Sequence, residues 1–84
     1  MYVEFFGIPR ERAGTSEVQV DAATLAELLG TLAGQFPALR DLITAGRLHA
    51  SVAANLNGDA FISDPETSFA STDRVILLSA DAGG

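Results

Sequence analysis

Residues 75–84 read VILLSADAGG, an apolar run that is followed by a short polar stretch and two glycines. The first four residues, 75–78, have the composition of a β-strand. A strand that is covered on one face only should alternate between apolar and polar residues, but all four are apolar. Either the strand is buried on both faces, or Ile76 and Leu78 point outward and form a docking patch. Because only one long helix is predicted to cover the sheet, the second alternative is favoured.

The tail behind this strand is unusual because it finishes with Gly83 and Gly84. Glycine has no Cβ atom, so such a tail can lie in a slot too narrow for any other residue. The tail would present the Gly84 carboxylate, and an α-carboxyl group, with a reference pKa of roughly 3.3–3.7, is ionised at neutral pH. A loose terminus without function is the alternative. We predict a domain over residues 1–80 and a flexible tail over 81–84.

The composition excludes several kinds of protein. The 84 residues include no cysteine, which excludes disulfides, thiolate metal sites and a cysteine nucleophile. The net charge is −6 and lysine is absent, so a basic surface for nucleic acid or an anionic membrane is not expected. Proteins with basic docking surfaces are the favoured partners. Neither a signal peptide nor a membrane span is visible, and the predicted location is the cytoplasm.

The first third of the chain predicts two strands. Residues 2–8 are rich in β-formers, and their alternation turns Phe5 towards the core and Phe6 away from it. The charged segment 9–14 is bracketed by turn residues and is predicted to be a hairpin loop. Residues 17–21 alternate cleanly and predict the second strand.

A helix with a well-marked start follows these strands. Thr24 and Glu27 have the spacing of a capping box. Gly34 and Pro37 mark the predicted end of the helix. Leu39, Leu42 and Ile43 repeat the helical pattern in a short second helix that is expected to stop at Gly46. The apolar stripe of the main helix consists of Leu25, Leu28, Leu29, Leu32 and Phe36.

The last third of the chain predicts returning strands. Residues 51–56 and 60–63 form a hairpin around Asn57-Gly58, a strong turn signal. With residues 75–78 as the final strand, the order is strand, strand, helix, short helix, strand, strand, strand. This order predicts an α+β protein with the β-grasp, or ubiquitin-like, architecture, in which a mixed sheet packs on one main helix.

The predicted topology places the first and last strands side by side. Phe6, Ile76 and Leu78 would then form one exposed apolar patch, from whose edge the tail leaves. The single histidine, His49, has no acidic neighbour at a ligand spacing, and no metal site is expected. Arg10 and its charged neighbours could contact a partner or form a solvated hairpin tip. Asp81 could suit a basic channel or only keep the tail soluble.

Four stretches of this sequence resemble the MoaD/ThiS family of ubiquitin-like sulfur carriers, and the small subunit of molybdopterin synthase in particular. They cover nearly the whole chain at compatible spacing. The stretches are Phe5-Phe6-Gly7 with Arg10-Glu11 and Gly14, Phe36-Pro37, Asn57-Gly58, and Asp73-Arg74-Val75 through to Gly83-Gly84.

The resemblance implies a carrier that is not catalytic alone and binds no cofactor. A partner related to ubiquitin-activating enzymes would use ATP to adenylate the Gly84 carboxylate, which would become a thiocarboxylate and donate sulfur in molybdopterin biosynthesis. The large subunit of molybdopterin synthase would be a second partner. The predicted reactive residues are Gly83 and Gly84, and the predicted partner-binding residues are Phe6, Arg10, Ile76, Leu78, Asp81 and Ala82.

One departure leaves the pathway open. The molybdopterin branch commonly has two prolines before the diglycine, whereas residues 79–82 contain none. The sulfur acceptor could instead belong to thiamine thiazole, cysteine or specialised-metabolite synthesis. A different class of function is a ubiquitin-like binding or protein-modifier domain, although a chain without lysine cannot form lysine-linked chains of itself. No acid–base pair, nucleophile or metal cluster supports a stand-alone enzyme.

Overall fold

The computed structural model of the protein describes residues 1–80. Within this range, the elements in chain order are β1 (Tyr2–Phe5), α1 (Ile8–Ala13), β2 (Glu17–Gln19), α2 (Leu25–Gln35), a 3-10 helix (Pro37–Leu42), β3 (Ile43–Thr44), β4 (Arg47–Leu48), β5 (Val52–Leu56), β6 (Ala60–Ile62) and β7 (Arg74–Ser79). A mixed five-stranded sheet in the order β2-β1-β7-β5-β6 carries the main helix α2 on one face, and β3 and β4 form a separate hairpin.

The first and last strands are neighbours in the centre of the sheet. β1 and β7 run parallel, with Val3 opposite Val75 and Phe5 opposite Leu77. β5 pairs with the other edge of β7 in antiparallel orientation. The predicted β-grasp fold is confirmed, and the strand before the tail is covered by a neighbour on each side.

The core lies between the sheet and α2. The helix begins at a capping box, because Thr24 Oγ1 accepts from the Glu27 N–H at 3.3 Å and Glu27 Oε2 accepts from the Ala23 N–H at 2.8 Å. Its four leucines are at most 1% exposed, as the apolar stripe predicts. The buried residues of the sheet in this core are Val3, Phe5, Val52, Ala54, Val75 and Leu77.

Two local predictions were wrong. Segment 9–14 is largely helical and forms most of α1 rather than a hairpin loop, because its turn residues cap a helix at both ends. Pro9 occupies the first turn, where its fixed φ favours a helix, and Gly14 ends the helix in the left-handed conformation (φ 73°). The short second helix is a 3-10 helix that ends at Leu42, and Ile43 already belongs to β3.

The turn between β5 and β6 was predicted correctly. Asn57 and Gly58 both have positive φ angles, 58° and 76°, as the favoured hairpin turn requires. The Asn57 side chain also ties the turn to the start of β7: its Oδ1 accepts from the Arg74 N–H at 2.8 Å. Across residues 1–80, no helix has the length and apolar character needed to cross a membrane.

Candidate functional site

The apolar run of β7 divides between the two faces of the sheet. Val75 and Leu77 point towards α2 and are completely or almost completely buried, whereas Ile76 and Leu78 are only half-buried. Since neighbouring residues of a strand point to opposite faces, Ile76 and Leu78 lie on the face that α2 does not cover. The unbroken run thus combines a core face with an apolar outer face.

Phe6 lies beside Leu78 on this outer face. The Phe6 N–H donates to the Leu77 carbonyl at 2.9 Å, which continues the parallel pairing one residue beyond β1. The Phe6 side chain is 46% exposed. We refer to Phe6, Ile76 and Leu78 as the outer-face patch, and it lies at the end of the sheet from which the chain leaves β7.

Two further residues of the same face were missed in the sequence. Ile76 pairs with Asn55, and Asn55 pairs with Phe61, so the three side chains form one row across β7, β5 and β6. Phe61 is 64% exposed and extends the apolar surface to the edge of the sheet. Alternation in so short a strand as β6 gives little indication of which face Phe61 occupies, and only the register assigns it.

The outer face also carries charged side chains. Arg74, at the start of β7, forms ion pairs with Glu4 and with Glu17, the second at 3.7 Å, and its guanidinium lies 5.3 Å from the centre of the Tyr2 ring. Glu4 is the register partner of Ile76, and Glu17 is that of Glu4, so both carboxylates lie in the row of Ile76. Ion pairs at this degree of exposure contribute little to stability. The charged groups therefore border the outer-face patch on the side of β1 and β2.

The exit of the chain from β7 is held from the side of α1. Ser79 Oγ accepts from the Ile8 N–H at 2.7 Å, a bond between residues 71 positions apart in the sequence. The close approach requires glycine at position 7, since a Cβ atom there would lie 2.2 Å from Ser79 Oγ. Gly7 also has a positive φ of 61°, which other residues rarely adopt.

The exit is held from the opposite side by the segment before β5. The Ala80 N–H donates to the Ser51 carbonyl at 2.8 Å. Ser51 is in turn fixed by His49, whose Nδ1 lies 2.8 Å from Ser51 Oγ and accepts from the Ser51 N–H at 3.1 Å. His49, for which no role was predicted, therefore supports the residue to which Ala80 is bonded.

The predicted site residues divide into those that the structure places and those that it does not describe. Arg10 is exposed on α1, the short helix whose first residue, Ile8, donates its N–H to Ser79 Oγ. Its neighbour Arg12 pairs with Asp41 and donates to the Ala38 carbonyl, and so attaches α1 to the 3-10 helix. The predicted tail residues Asp81, Ala82, Gly83 and Gly84 lie outside the described residues.

The described part of the chain offers no metal centre. Within residues 1–80, no group of three or more histidine, cysteine, aspartate or glutamate side chains is placed to hold an ion. The structure instead has two features at the end of β7. One is the exposed apolar face of the sheet, and the other is a strand end that hydrogen bonds hold on two sides directly before the tail.

Comparison with known proteins agrees with this geometry. Residues 3–84 match the family described as ThiS family. The crystal structure of the small archaeal modifier protein SAMP1 from Haloferax volcanii has 28% sequence identity and a TM-score of 0.79, over 99% of this chain and 97% of that chain. The solution structure of SAMP1 from Methanosarcina acetivorans has 25% identity and a TM-score of 0.79, over 99% and 94%.

A solved structure with lower sequence identity has the same fold. A chain in the crystal structure of the Amycolatopsis orientalis BexX/CysO complex has 23% identity and a TM-score of 0.79, with 99% of this chain and 98% of that chain covered. No curated protein sequence gave a significant match. The family match spans nearly the whole chain, including both glycines of the tail, and the fold agrees with it. The protein belongs to the ThiS family.

Proposed function

We propose that the protein is a sulfur carrier and that the reactive group is the carboxylate of Gly84. The observation that supports this most directly is the family match over residues 3–84, which includes Gly83 and Gly84. The position of β7 adds a physical argument. A central strand paired on both edges gives the tail a rigid base, while glycines allow the tail itself to enter a narrow active site.

The proposed chemistry has two steps, both in the active site of a partner. A carboxylate oxygen of Gly84 attacks the α-phosphorus of ATP, forming an acyl-adenylate and releasing pyrophosphate. Hydrosulfide, or sulfur delivered in an equivalent form, then attacks the acyl carbon. The bond from carbon to the adenylate oxygen breaks, AMP leaves, and a thiocarboxylate remains. The chain contributes no cysteine to either step, so the sulfur is carried at Gly84.

The outer-face patch is the proposed docking surface for the adenylating enzyme. It is apolar, partly exposed and directly beside the exit of the tail. Exposed apolar patches on small proteins commonly mark interaction sites. We also assign Arg10, Asp81 and Ala82 to this interface, because the first is exposed on α1 and the other two connect β7 to the diglycine.

The proposed acceptor pathway is molybdopterin biosynthesis, with the large subunit of molybdopterin synthase as the second partner. The resemblance of residues 5–14, of Phe36-Pro37, of Asn57-Gly58 and of the region from Asp73 onward supports this branch. The absence of prolines at 79–82 leaves thiamine thiazole, cysteine or specialised-metabolite synthesis as alternatives.

A protein-modifier role is the second candidate function. It is favoured by the similarity to small archaeal modifier protein 1, at 28% identity over 99% of this chain. In this role the same acyl-adenylate would pass its acyl group to an amine of another protein, forming an amide and releasing AMP. Both roles begin with adenylation of Gly84 and differ in the nucleophile that follows.

The test is incubation with the adenylating enzyme from the same cell, ATP and a sulfide source, followed by mass spectrometry of the intact protein. We expect a mass increase equal to the replacement of one oxygen by sulfur. Deletion of Gly84, or addition of one residue after it, should abolish the increase, because near-attack geometry tolerates little misplacement. Neither change should alter the melting temperature. Sulfur uptake by the extended chain would show that another group reacts.

A further inference from the structure

We infer that Ser79 and His49 are positioning residues for the tail. We call the two contacts in which they take part the exit latch. On one side, Ser79 Oγ accepts a hydrogen bond from the Ile8 N–H. On the other side, the Ala80 N–H donates to the carbonyl of Ser51, a residue that His49 holds in place. The inference rests on the proposed function, since it concerns how the reactive carboxylate is presented. Its structural part can be tested without any partner.

The two halves of the latch restrain the chain at consecutive residues. Strand ends usually fray, because their last backbone groups lack neighbours. Here Ser79 is bonded through its side chain to α1, and Ala80 through its main chain to the segment before β5. The restraint therefore extends one residue beyond the strand, and it acts from both sides.

The contribution of His49 is to fix the carbonyl to which Ala80 is bonded. Its Nδ1 accepts a hydrogen bond from the Ser51 N–H at 3.1 Å and lies 2.8 Å from Ser51 Oγ. The Val52 N–H also donates to the His49 carbonyl, at 3.0 Å. The segment 49–52 is thus closed into a turn by side-chain and main-chain bonds. An asparagine at position 49 can place an acceptor oxygen close to the position of Nδ1, whereas alanine cannot.

The latch sets how much chain remains between the docking surface and the carboxylate. With the latch closed, four residues lie between the last anchored residue and the carboxylate, and they can span at most roughly 14 Å. With the latch open, Ser79 stays paired with Val52 in the sheet, and the five residues after it can span at most roughly 18 Å. Each residue that must be ordered on binding weakens association about tenfold. A closed latch avoids this loss because it orders residue 80 beforehand.

The first experiment measures amide hydrogen exchange of the free protein by NMR. We expect Ser79→Ala and His49→Ala each to lower the protection of the Ala80 amide about tenfold, and His49→Asn to restore it. Ser71→Ala, at an exposed serine near the opposite end of β7, is the control and should change nothing at Ala80. Unchanged Ala80 protection in both alanine variants would overturn the latch.

The second experiment measures adenylation kinetics with the activating partner. Ser79→Ala and His49→Ala should raise the KM for the carrier about tenfold and leave kcat nearly unchanged, because the latch contributes equally to the ground-state and transition-state complexes. His49→Asn should recover the native KM. Loss of Ala80 protection without a change in KM would refute the positioning role. If the native protein is never adenylated, the proposed function fails, and the exchange data alone decide whether the latch exists.

Discussion

Gly7 and Ser79 lie so close together that a Cβ atom on Gly7 would be 2.2 Å from the Ser79 hydroxyl oxygen. The contact joins the end of β1 to the end of β7, and it allows Ser79 Oγ to accept from the Ile8 N–H at the start of α1. Since β1 and β7 are parallel neighbours, the contact closes the end of the sheet from which the tail departs. The glycine is needed for its small size as well as for its positive φ.

Replacement of Gly7 by alanine should destabilise the protein by about 2 kcal/mol or more. The substitution combines backbone strain of about 1–3 kcal/mol with the steric clash against Ser79. Gly14→Ala is a matched control, because Gly14 also has a positive φ, 73°, but a Cβ atom there would meet nothing within 4 Å. That variant should lose only about 1–2 kcal/mol. Urea unfolding measures both, and equal losses would argue against the clash.

Replacement of Gly30 by alanine should raise the free energy of unfolding by about 1 kcal/mol. Gly30 is exposed in the middle of α2, where glycine costs backbone entropy, and a Cβ atom there would meet nothing within 4 Å. Gly46→Ala is the opposite case: its φ is 74°, and its Cβ would lie 3.0 Å from that of Ala26. It should destabilise the protein. A loss of stability in Gly30→Ala would reveal a need for glycine that the helix geometry does not show.

The features that were predicted correctly are those determined by short stretches of sequence. Thr24 with Glu27, the leucine stripe of α2 and Asn57-Gly58 each carry their signal within a few residues, and their local preference agrees with the fold. The apolar run of residues 75–78 was harder to interpret, because a strand buried on both faces and a strand with one exposed apolar face have the same sequence pattern. The number of predicted helices was enough to favour an exposed patch.

The features that were missed depend on contacts between distant residues. Pro9 and Gly14 are compatible either with a loop or with a capped helix. The helix is stabilised because Pro9 is buried and because the Ile8 N–H donates to Ser79, 71 positions away in the sequence. The link from His49 through Ser51 to Ala80 likewise follows from the pairing of β5 with β7. No local pattern contains this information, so the exit of the tail could not be derived from the sequence.

Replacement of Asn55 by leucine should stabilise the fold by about 1 kcal/mol. Among the described residues, Asn55 Oδ1 is buried and has no hydrogen-bond partner, and a buried acceptor without a partner is unfavourable. Leucine has a similar shape and no polar atom. Asn55→Asp, which would place a charge at the same position, should instead destabilise the protein. Thermal and urea unfolding measure both effects, and a destabilised leucine variant would mean that the amide is satisfied by solvent.

The stability contribution of Asp73 should disappear at low pH. Bonds from the Asn57 side-chain amide (3.0 Å) and the Ala70 N–H (2.7 Å) hold the pKa of the Asp73 carboxyl below its ordinary value of 3.8. Because the folded pKa is the lower one, the contribution is complete above about pH 4 and is lost as the pH falls through the folded value. Asp73→Asn should therefore be less stable than the native protein at neutral pH, with the difference shrinking on acidification.

The control substitution is Asp59→Asn, at an exposed aspartate in the turn between β5 and β6. Its side chain makes no hydrogen bond within the described range, so its substitution breaks no bond and should change the free energy of unfolding little. Unfolding free energies at neutral and strongly acidic pH provide the measurement. A difference between Asp73→Asn and the native protein that stays constant over this range would contradict the assigned role of the carboxylate.

Replacement of Leu78 by aspartate should weaken binding to the adenylating enzyme by about tenfold or more while the fold persists. Leu78 lies on the outer face beside Phe6 and is only half-buried, so the substitution removes few core contacts. Apolar residues near the centre of an interface commonly contribute this much to affinity. Calorimetric titration measures the affinity, and circular dichroism checks the fold.

The neighbouring position provides a matched control for this last prediction. Leu77 is 1% exposed and faces α2, so Leu77→Asp should bury an uncompensated charge and unfold the protein. The same substitution at consecutive residues then separates the two faces of β7: one should lose binding and the other folding. If Leu78→Asp also unfolds, the residue supports the core more than its exposure indicates. If it folds and binds as the native protein does, the partner docks elsewhere, and the outer-face patch has no part in activation.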